Sequence, residues 1–191
     1  FDRSPVFDFH SMGGVPGNKI TPIVVSIVAA AGLMLPKTSS RAISSACGTS
    51  DFVETFCGIE VTAEKLKEIG ETVGGAFVWG GSMNIAPVDD IVIKIEHPLG
   101  INPRAQMLAS ILSKKLAIGA NYLLVDIPTG SGTKVPTIEV ARAYAREFMD
   151  LGEKLGIHIE CAITYADQPV GSAIGPNLEA RECIRILEGN E

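Results

Sequence analysis

The stretch His10-Ser11-Met12-Gly13-Gly14-Val15-Pro16-Gly17-Asn18-Lys19 puts an imidazole, a hydroxyl, three glycines and an ammonium into ten residues. It follows a short run that reads as a strand, Pro5 to Phe9. It leads into an apolar segment that reads as a helix capped by Asn18 and ended by Gly32. A strand, a glycine-rich turn and a helix start make an anion site. Glycines let the backbone approach an oxyanion, and the unpaired N–H groups of the first helical turn point at it. Ser11 would add a hydroxyl, and His10 and Lys19 cationic or donor groups. A purely structural turn would look the same, so a second loop has to decide.

That loop is Lys37-Thr38-Ser39-Ser40-Arg41-Ala42-Ile43-Ser44-Ser45-Ala46-Cys47-Gly48-Thr49-Ser50-Asp51. Its hydroxyls and amides suit a phosphate that is bound and later released, and Arg41 could clamp one bidentately. A third glycine-rich loop runs from Asp126 to Lys134.

These loops need a scaffold, and 191 residues suffice for one well-packed α/β domain. With 46% hydrophobic and 20% charged residues the composition is that of a globular protein, and the net charge of −6 argues against nucleic-acid or membrane-surface partners. Cys47, Cys57, Cys161 and Cys183 show neither Cys-x-x-Cys pairing nor nearby histidines. No zinc site or disulfide framework is expected, and a reducing cytoplasm is. The apolar run Ile20–Leu35 is broken by Thr21, Pro22 and Ser26 and is shorter than the ~20 residues a membrane helix needs. Phe1 in place of a start methionine suggests a processed or shortened chain.

Further along, Pro36–Thr38 reads as a short strand, and Ser50 or Asp51 as the cap of a helix through Val53 and Phe56. Thr62 caps another helix. Ala76–Trp79 reads as a strand closed by Gly80-Gly81, Asn84–Asp90 as a loop, and Ile91–Ile95 as extended. Asn102-Pro103 starts a helix reaching Ile118, with an apolar stripe of Leu108, Ile111, Leu112 and Leu116. Tyr122–Asp126 is the clearest buried strand. Glu139–Leu155 is an amphipathic helix, Ile157–Thr164 a strand, and the last helix runs from about Pro176 to Leu187. Strands alternating with helices imply an α/β fold with a mostly parallel sheet flanked by helices. The loops at His10, Ser39, Gly80 and Asp126 all follow strands and could share one carboxyl edge.

Taken together, His-Ser-x-Gly-Gly-Val, the apolar helix and the Ser-Ser-Arg-Ala-Ile-Ser-Ser-Ala-Cys-Gly-Thr-Ser-Asp run closely resemble the thymidine/pyrimidine nucleoside phosphorylase family. Pro16-Gly17-Asn18-Lys19, Val78-Trp79-Gly80-Gly81, Asn84-Ile85-Ala86-Pro87, the Asp126–Lys134 loop and Gln168–Pro176 look like its archaeal, AMP-cleaving branch. The resemblance covers the whole chain, which looks like a central piece of a longer architecture: one α/β domain, with residues 103–119 candidates for a helical lobe.

The resemblance implies a pentosyltransferase that phosphorolyses nucleoside monophosphates, turning AMP and phosphate into adenine and ribose 1,5-bisphosphate. It needs inorganic phosphate as co-substrate, no metal and no further cofactor, and the full-length protein is expected to be a homo-oligomer. Ser11, Thr21, Ser39 and Thr49 match phosphate-holding positions. Gly14, the run Ser40, Arg41, Ala42, Ile43, Ser44, Ser45, and Thr49 match nucleotide-binding ones. Ser110 and Lys114, four apart on one helix face, match base-side residues, and Lys134 a further nucleotide contact. His10 and Asn102 stand at the candidate catalytic positions.

Two positions depart from the family pattern. Phe9 stands where the family has a phosphate-binding lysine, and Asn102 where the AMP branch has a proton-donating aspartate. A carboxamide is no general acid and a phenyl ring no counter-charge, so each change is worth a few orders of magnitude in rate. Restoring both, by Phe9→Lys and Asn102→Asp, should raise turnover. Thymidine phosphorolysis, transfer from a pyrophosphate-bearing ribose donor to anthranilate, and a non-catalytic nucleotide- or phosphate-binding remnant remain as alternatives. Finally, in the pyrimidine branch positions resembling Gly17, Val170, Ala173 and Glu182 surround a monovalent cation. Here the Lys19 ammonium is expected to fill that place and to pair with Glu182.

Overall fold

The computed structural model describes residues 1–42, 47–99, 101 and 103–190. Along them run β1 (Phe7–Ser11), α1 (Ile20–Ala30), β2 (Leu35–Ser39), α2 (Thr49–Val53), α3 (Ala63–Val73) and β3 (Gly75–Trp79). After these come α4 (Gly80–Met83), α5 (Pro87–Leu99), α6 (Arg104–Ala117), β4 (Tyr122–Thr129), α7 (Ile138–Leu155), β5 (His158–Tyr165) and α8 (Pro176–Leu187).

All strand pairs are parallel, in two ladders, β1-β4-β5 and β2-β3. The ladders meet at one point, where Val6 bridges Met34 and the Phe7 N–H donates to the Met34 carbonyl at 2.9 Å. The spatial order is therefore β3-β2-β1-β4-β5. The chain leaves β1 toward one edge and returns to β4 on the other side, which is where parallel α/β sheets collect ligands. Among the described residues no ladder joins β1 to β2 beyond that bridge, and residues from the carboxyl ends of both strands line a cleft.

The apolar core explains why the strands hold their places. Leu123, Val125 and Ile127 of β4 alternate inward, nearly devoid of solvent, against Phe148 of α7 and Leu108 and Leu112 of α6. Each such side chain contributes about 1.5–3 kcal/mol. Phe9, Val25 and Leu35 form a second cluster under α1. Thr62 accepts from the Lys65 N–H at 3.2 Å, capping α3, and Thr137 caps α7 from the Val140 N–H at 3.4 Å.

Several expectations need correction. Asn18 does not cap α1: its side-chain amide goes to Ser11, and the helix starts at Ile20 behind Lys19 with no side-chain cap. The cap of α2 is Gly48, not Ser50 or Asp51; the Asp51 carboxylate reaches back to the Gly48 N–H from inside the first turn, at 2.8 Å. Residues expected as a loop and an extended run, 84–95, largely form α5. Asp89 and Asp90 mimic loop composition there, but Val88, Ile91, Ile95 and Leu99 keep a helical spacing. Lys115, not Leu116, continues the inward stripe of α6: Lys115 is 1% exposed and Leu116 45%. Gly80, placed on the shared edge from the sequence, begins the one-turn α4 and lies outside the cleft. β1 runs two residues later than expected, so His10 and Ser11 are still strand.

Among the described residues no helix is long and apolar enough to cross a membrane, and no cluster of His, Cys, Asp and Glu could hold a metal.

Candidate active site

Three loops at the carboxyl ends of β1, β2 and β4 and one face of α6 enclose the cleft. At the end of β1, Ser11 sits opposite Asp126 of β4. Its hydroxyl donates to Asp126 Oδ2 at 2.6 Å and accepts from Asn18 Nδ2 at 2.8 Å, while Thr164 donates to Asp126 Oδ1 at 2.6 Å. A buried carboxylate thus fixes the rotamer of Ser11, and Asn18 holds the glycine turn on top of it. Gly14, at φ +84°, lies against Lys134; a Cβ there would come 3.2 Å from the Lys134 backbone nitrogen. Glycine is required both by the backbone angle and by that approach.

The second loop is closed by Asp51. Its Oδ2 accepts from the Ala42 N–H at 2.9 Å and the Gly48 N–H at 2.8 Å. Ser39 is buried at the end of β2, 2.8 Å from Ser50 Oγ, whereas Ser40 is exposed. Thr49 opens α2 and, with Thr21 and Ala42, lines the cleft. Arg41 lines it too, but its guanidinium is engaged with Glu54 at 2.6 Å, with Asp51 at 3.4 Å, and over the Trp79 ring at 4.9 Å. The hydrogen bond to Glu54, above all, raises its pKa further. Those three neighbours hold the guanidinium at the rim of the cleft. Ile43, Ser44, Ser45 and Asn102 lie outside the described residues.

Across the cleft, α6 brings Ser110 and Lys114 onto one face, as their spacing requires, and α5 sets Asp89 against both. Asp89 accepts from Ser110 Oγ at 2.9 Å, from Gln106 Nε2 at 3.2 Å and from the Lys114 ammonium, which also donates to Ser110 Oγ at 2.9 Å. Asp89 is 6% exposed, so this is a desolvated, mutually ordering group. The sequence reading missed it because it took residue 89 for loop.

The floor carries charge that the sequence reading also missed. Lys115 and Asp8 form an almost fully buried pair at 2.7 Å. Lys37 is 3% exposed, lines the cleft beside them, and donates to the neighbouring Thr38 carbonyl. Burial, and then the Lys115 ammonium, push the Lys37 pKa well down. Burial followed by Lys115, Lys37, Lys114 and Lys134 does the same to His10, so the imidazole is neutral at neutral pH and no fixed cation. Lys134 is also lowered by burial. Burial raises the Cys47 thiol to about 12, which removes it as a nucleophile. A lysine on an apolar helical stripe and an acid inside an apolar strand were the available signals.

Two residues turn away from the cleft. Phe9 is 3% exposed in the core beneath α1, on the opposite side of the strand from Asp8 and His10. Lys19, offered by the sequence both as a donor to the anion and as the partner of Glu182, points to the loop before α8, where it pairs with Glu182 as expected and donates to the Val170 carbonyl at 2.8 Å.

The family model described as glycosyl transferase family, α/β domain, matches residues 3–190. The AMP phosphorylases of Methanosarcina barkeri and Thermococcus kodakarensis are 54% and 57% identical over 191 and 186 residues, 100% and 97% of this chain. The chain spans only 38% and 37% of those relatives' length. The anthranilate phosphoribosyltransferase of Thermus thermophilus superposes with a TM-score of 0.73 at 18% identity, over 99% of this chain and 63% of its own, a likeness of fold. With its family model matched nearly end to end, the chain belongs to the glycosyl transferase family through its α/β domain.

Proposed function

We propose that the cleft binds a nucleoside monophosphate and inorganic phosphate and carries out phosphorolysis, AMP being the favoured nucleotide. The observation that carries this reading is the facing pair of hydroxyl- and amide-rich loops after β1 and β2, over a lysine-rich floor, in a chain more than half identical to AMP phosphorylases. In such a reaction a phosphate oxygen bonds to the anomeric carbon while the bond to the base nitrogen breaks. The products are the free base and ribose 1,5-bisphosphate, and a proton must reach the departing base. The transition state is oxocarbenium-like, so fixed groups around both phosphates and proton donation to the base supply the rate.

The residues divide naturally. Ser11, Thr21, Ser39 and Thr49 offer hydroxyls at the strand ends, and Gly14 and Ala42 backbone to a phosphate. Ser110 and Lys114, ordered by Asp89, face them from α6, where the base would lie. His10, neutral, can exchange a proton without carrying permanent charge. Asn102 cannot serve as a general acid, which favours slow turnover and keeps a second reading open, a nucleotide-binding remnant.

Both are decided by incubating the chain with AMP and phosphate and separating adenine and ribose 1,5-bisphosphate by chromatography, with thymidine and anthranilate plus ribose donor as comparators. Adenine release that depends on phosphate supports the reading. Tight AMP binding with no product supports the remnant, and product only from a comparator overturns both.

A further inference from the structure

The wall that α5 and α6 give to the cleft carries one charged group that the fold does not use. Asp89, Ile93 and Glu96 follow one another at spacings of four and three along α5 and so share one side of it. Ile93 and Glu96 line the cleft together with Gln106, Met107, Ser110 and Ile111 of α6. The cation on this wall is committed. The three protons of the Lys114 ammonium go to Asp89, to Ser110 Oγ at 2.9 Å and to the Ser110 carbonyl at 3.2 Å. The Ser110 hydroxyl in turn donates to Asp89 at 2.9 Å. Glu96 is half-buried, and among the described residues its carboxylate has neither a hydrogen bond nor an ion pair, although Lys37, Lys114, Lys115 and Lys134 line the same cleft.

A carboxylate left open in a cleft that takes phosphates is kept from them by like charge, so it faces the other end of a nucleotide. Ile93, Met107 and Ile111 offer that end an apolar bed for a flat ring. What the wall holds out to the edge of the ring is an acceptor.

We propose that Glu96 selects the base, its carboxylate accepting a hydrogen bond from the exocyclic amino group of adenine or cytosine and repelling the carbonyl oxygen that hypoxanthine, uracil and thymine carry instead. The inference rests on the reading of the cleft as a nucleoside monophosphate site and says which bases that site takes. Thymine presents an oxygen to the carboxylate, and anthranilate a second carboxylate, so both competing substrates are disfavoured by the same residue. An oxo base costs more than a lost contact, because the acceptor is left unpaired against a lone pair. Glutamine at position 96 can turn either its oxygen or its amide nitrogen to the ring, so Glu96→Gln removes the preference while keeping the side chain's length.

The experiment is titration calorimetry of the chain, Glu96→Gln and Glu96→Ala with AMP, IMP, CMP and UMP, and with inorganic phosphate as a control. Since Glu96 bonds to no described group, both variants should unfold within about 2 °C of the parent. The parent is expected to bind AMP over IMP, and CMP over UMP, by about tenfold or more, the scale of a hydrogen bond to a charged group. In both variants these ratios should fall to within about threefold, with IMP binding to Glu96→Gln more tightly than to the parent and phosphate affinity unchanged. A parent that binds AMP and IMP alike overturns the inference, as does a folded Glu96→Gln that keeps the ratio or loses phosphate affinity equally. Phosphate-dependent adenine release with an unchanged ratio in Glu96→Gln removes the role of Glu96 and leaves phosphorolysis standing. A ratio that depends on Glu96 in a chain that releases no adenine keeps the role of Glu96 and overturns phosphorolysis.

Discussion

Replacing Lys19 with methionine should be among the most damaging single changes outside the core, although Lys19 touches nothing in the cleft. Its ammonium is 2% exposed and bound between Glu182 and the Val170 carbonyl, while a Cβ on Gly17 would come within 3.0 Å of the Ala173 carbonyl and 3.3 Å of the ammonium. It also stands at the amino end of α1, where the helix dipole disfavours a cation. Glu182 is the compensation, and it is itself fixed by the Ser172 N–H at 2.8 Å and the Ala173 N–H at 3.3 Å. The pair thus ties the first glycine turn to the loop before α8. Methionine keeps the stem but leaves the Glu182 carboxylate buried with amides alone. Breaking one side of such a pair costs about 3–5 kcal/mol. At about 2–4 °C per kcal/mol for a chain of this size, the midpoint of thermal unfolding should fall by about 6–20 °C.

Three controls sharpen this. The double variant Lys19→Met, Glu182→Leu should recover most of the loss, because an apolar pair of similar volume is near neutral against a buried ion pair. Lys19→Thr leaves the carbonyls and the carboxylate around a gap, and potassium chloride should stabilise it more than N-methylglucamine chloride does. The acid limb should change as well. The hydrogen bond from Lys19, then those from the backbone amides, hold the Glu182 pKa below the ordinary carboxylate range. A depressed carboxylate contributes stability that is complete above the unfolded value of about 4.3 and is lost as pH falls through the folded one. Lys19→Met should lose part of that acid dependence. Circular dichroism against temperature, at several pH values, reads all of this. A drop under about 2 °C in the single variant, or simple additivity in the double one, would refute the reasoning.

Phe9→Lys, suggested by the family pattern as a gain, should instead cost several kcal/mol in denaturant unfolding, since it puts an ammonium among Val25 and Leu35; an equally stable variant with faster phosphorolysis would show that position 9 reaches the cleft. Asp89→Asn should release Lys114 and Ser110 and weaken AMP binding by about tenfold or more in calorimetry, the scale of a hydrogen bond to a charged group, with phosphate affinity nearly unchanged. Equal loss for both ligands would place Asp89 in the general fold of the site rather than on the base side.

The parts legible in the sequence were those whose cause is local. The glycine turn, the hydroxyl loop, Thr62 as a cap and the alternation of strand and helix each depend on residues a few positions apart. Asn18 shows the limit: its type suits a helix cap, but Ser11, held by Asp126 and seven positions back, takes its amide. Asp89 shows another, where two adjacent acids and a proline imitated a loop and hid a helical stripe. Ser110 and Lys114 were found by spacing, yet the group that orders them was not, because Asp89 is 25 positions from Lys114.

What no local pattern gives is the sign of a buried charge. Lys115 and Asp8 are 107 positions apart, and each alone looks like an interruption of an apolar run. Only the parallel register that brings β1 beside β4, with α6 packed over them, makes them a pair. Lys37 then differs from Lys115 in having no carboxylate at ion-pair distance among the described residues, only the Thr38 carbonyl, with the Asp8 charge acting on it from farther off. Arg41 argues the same point from the other side. It lies in the loop with the strongest phosphate signature, yet Glu54, Asp51 and Trp79 account for its guanidinium.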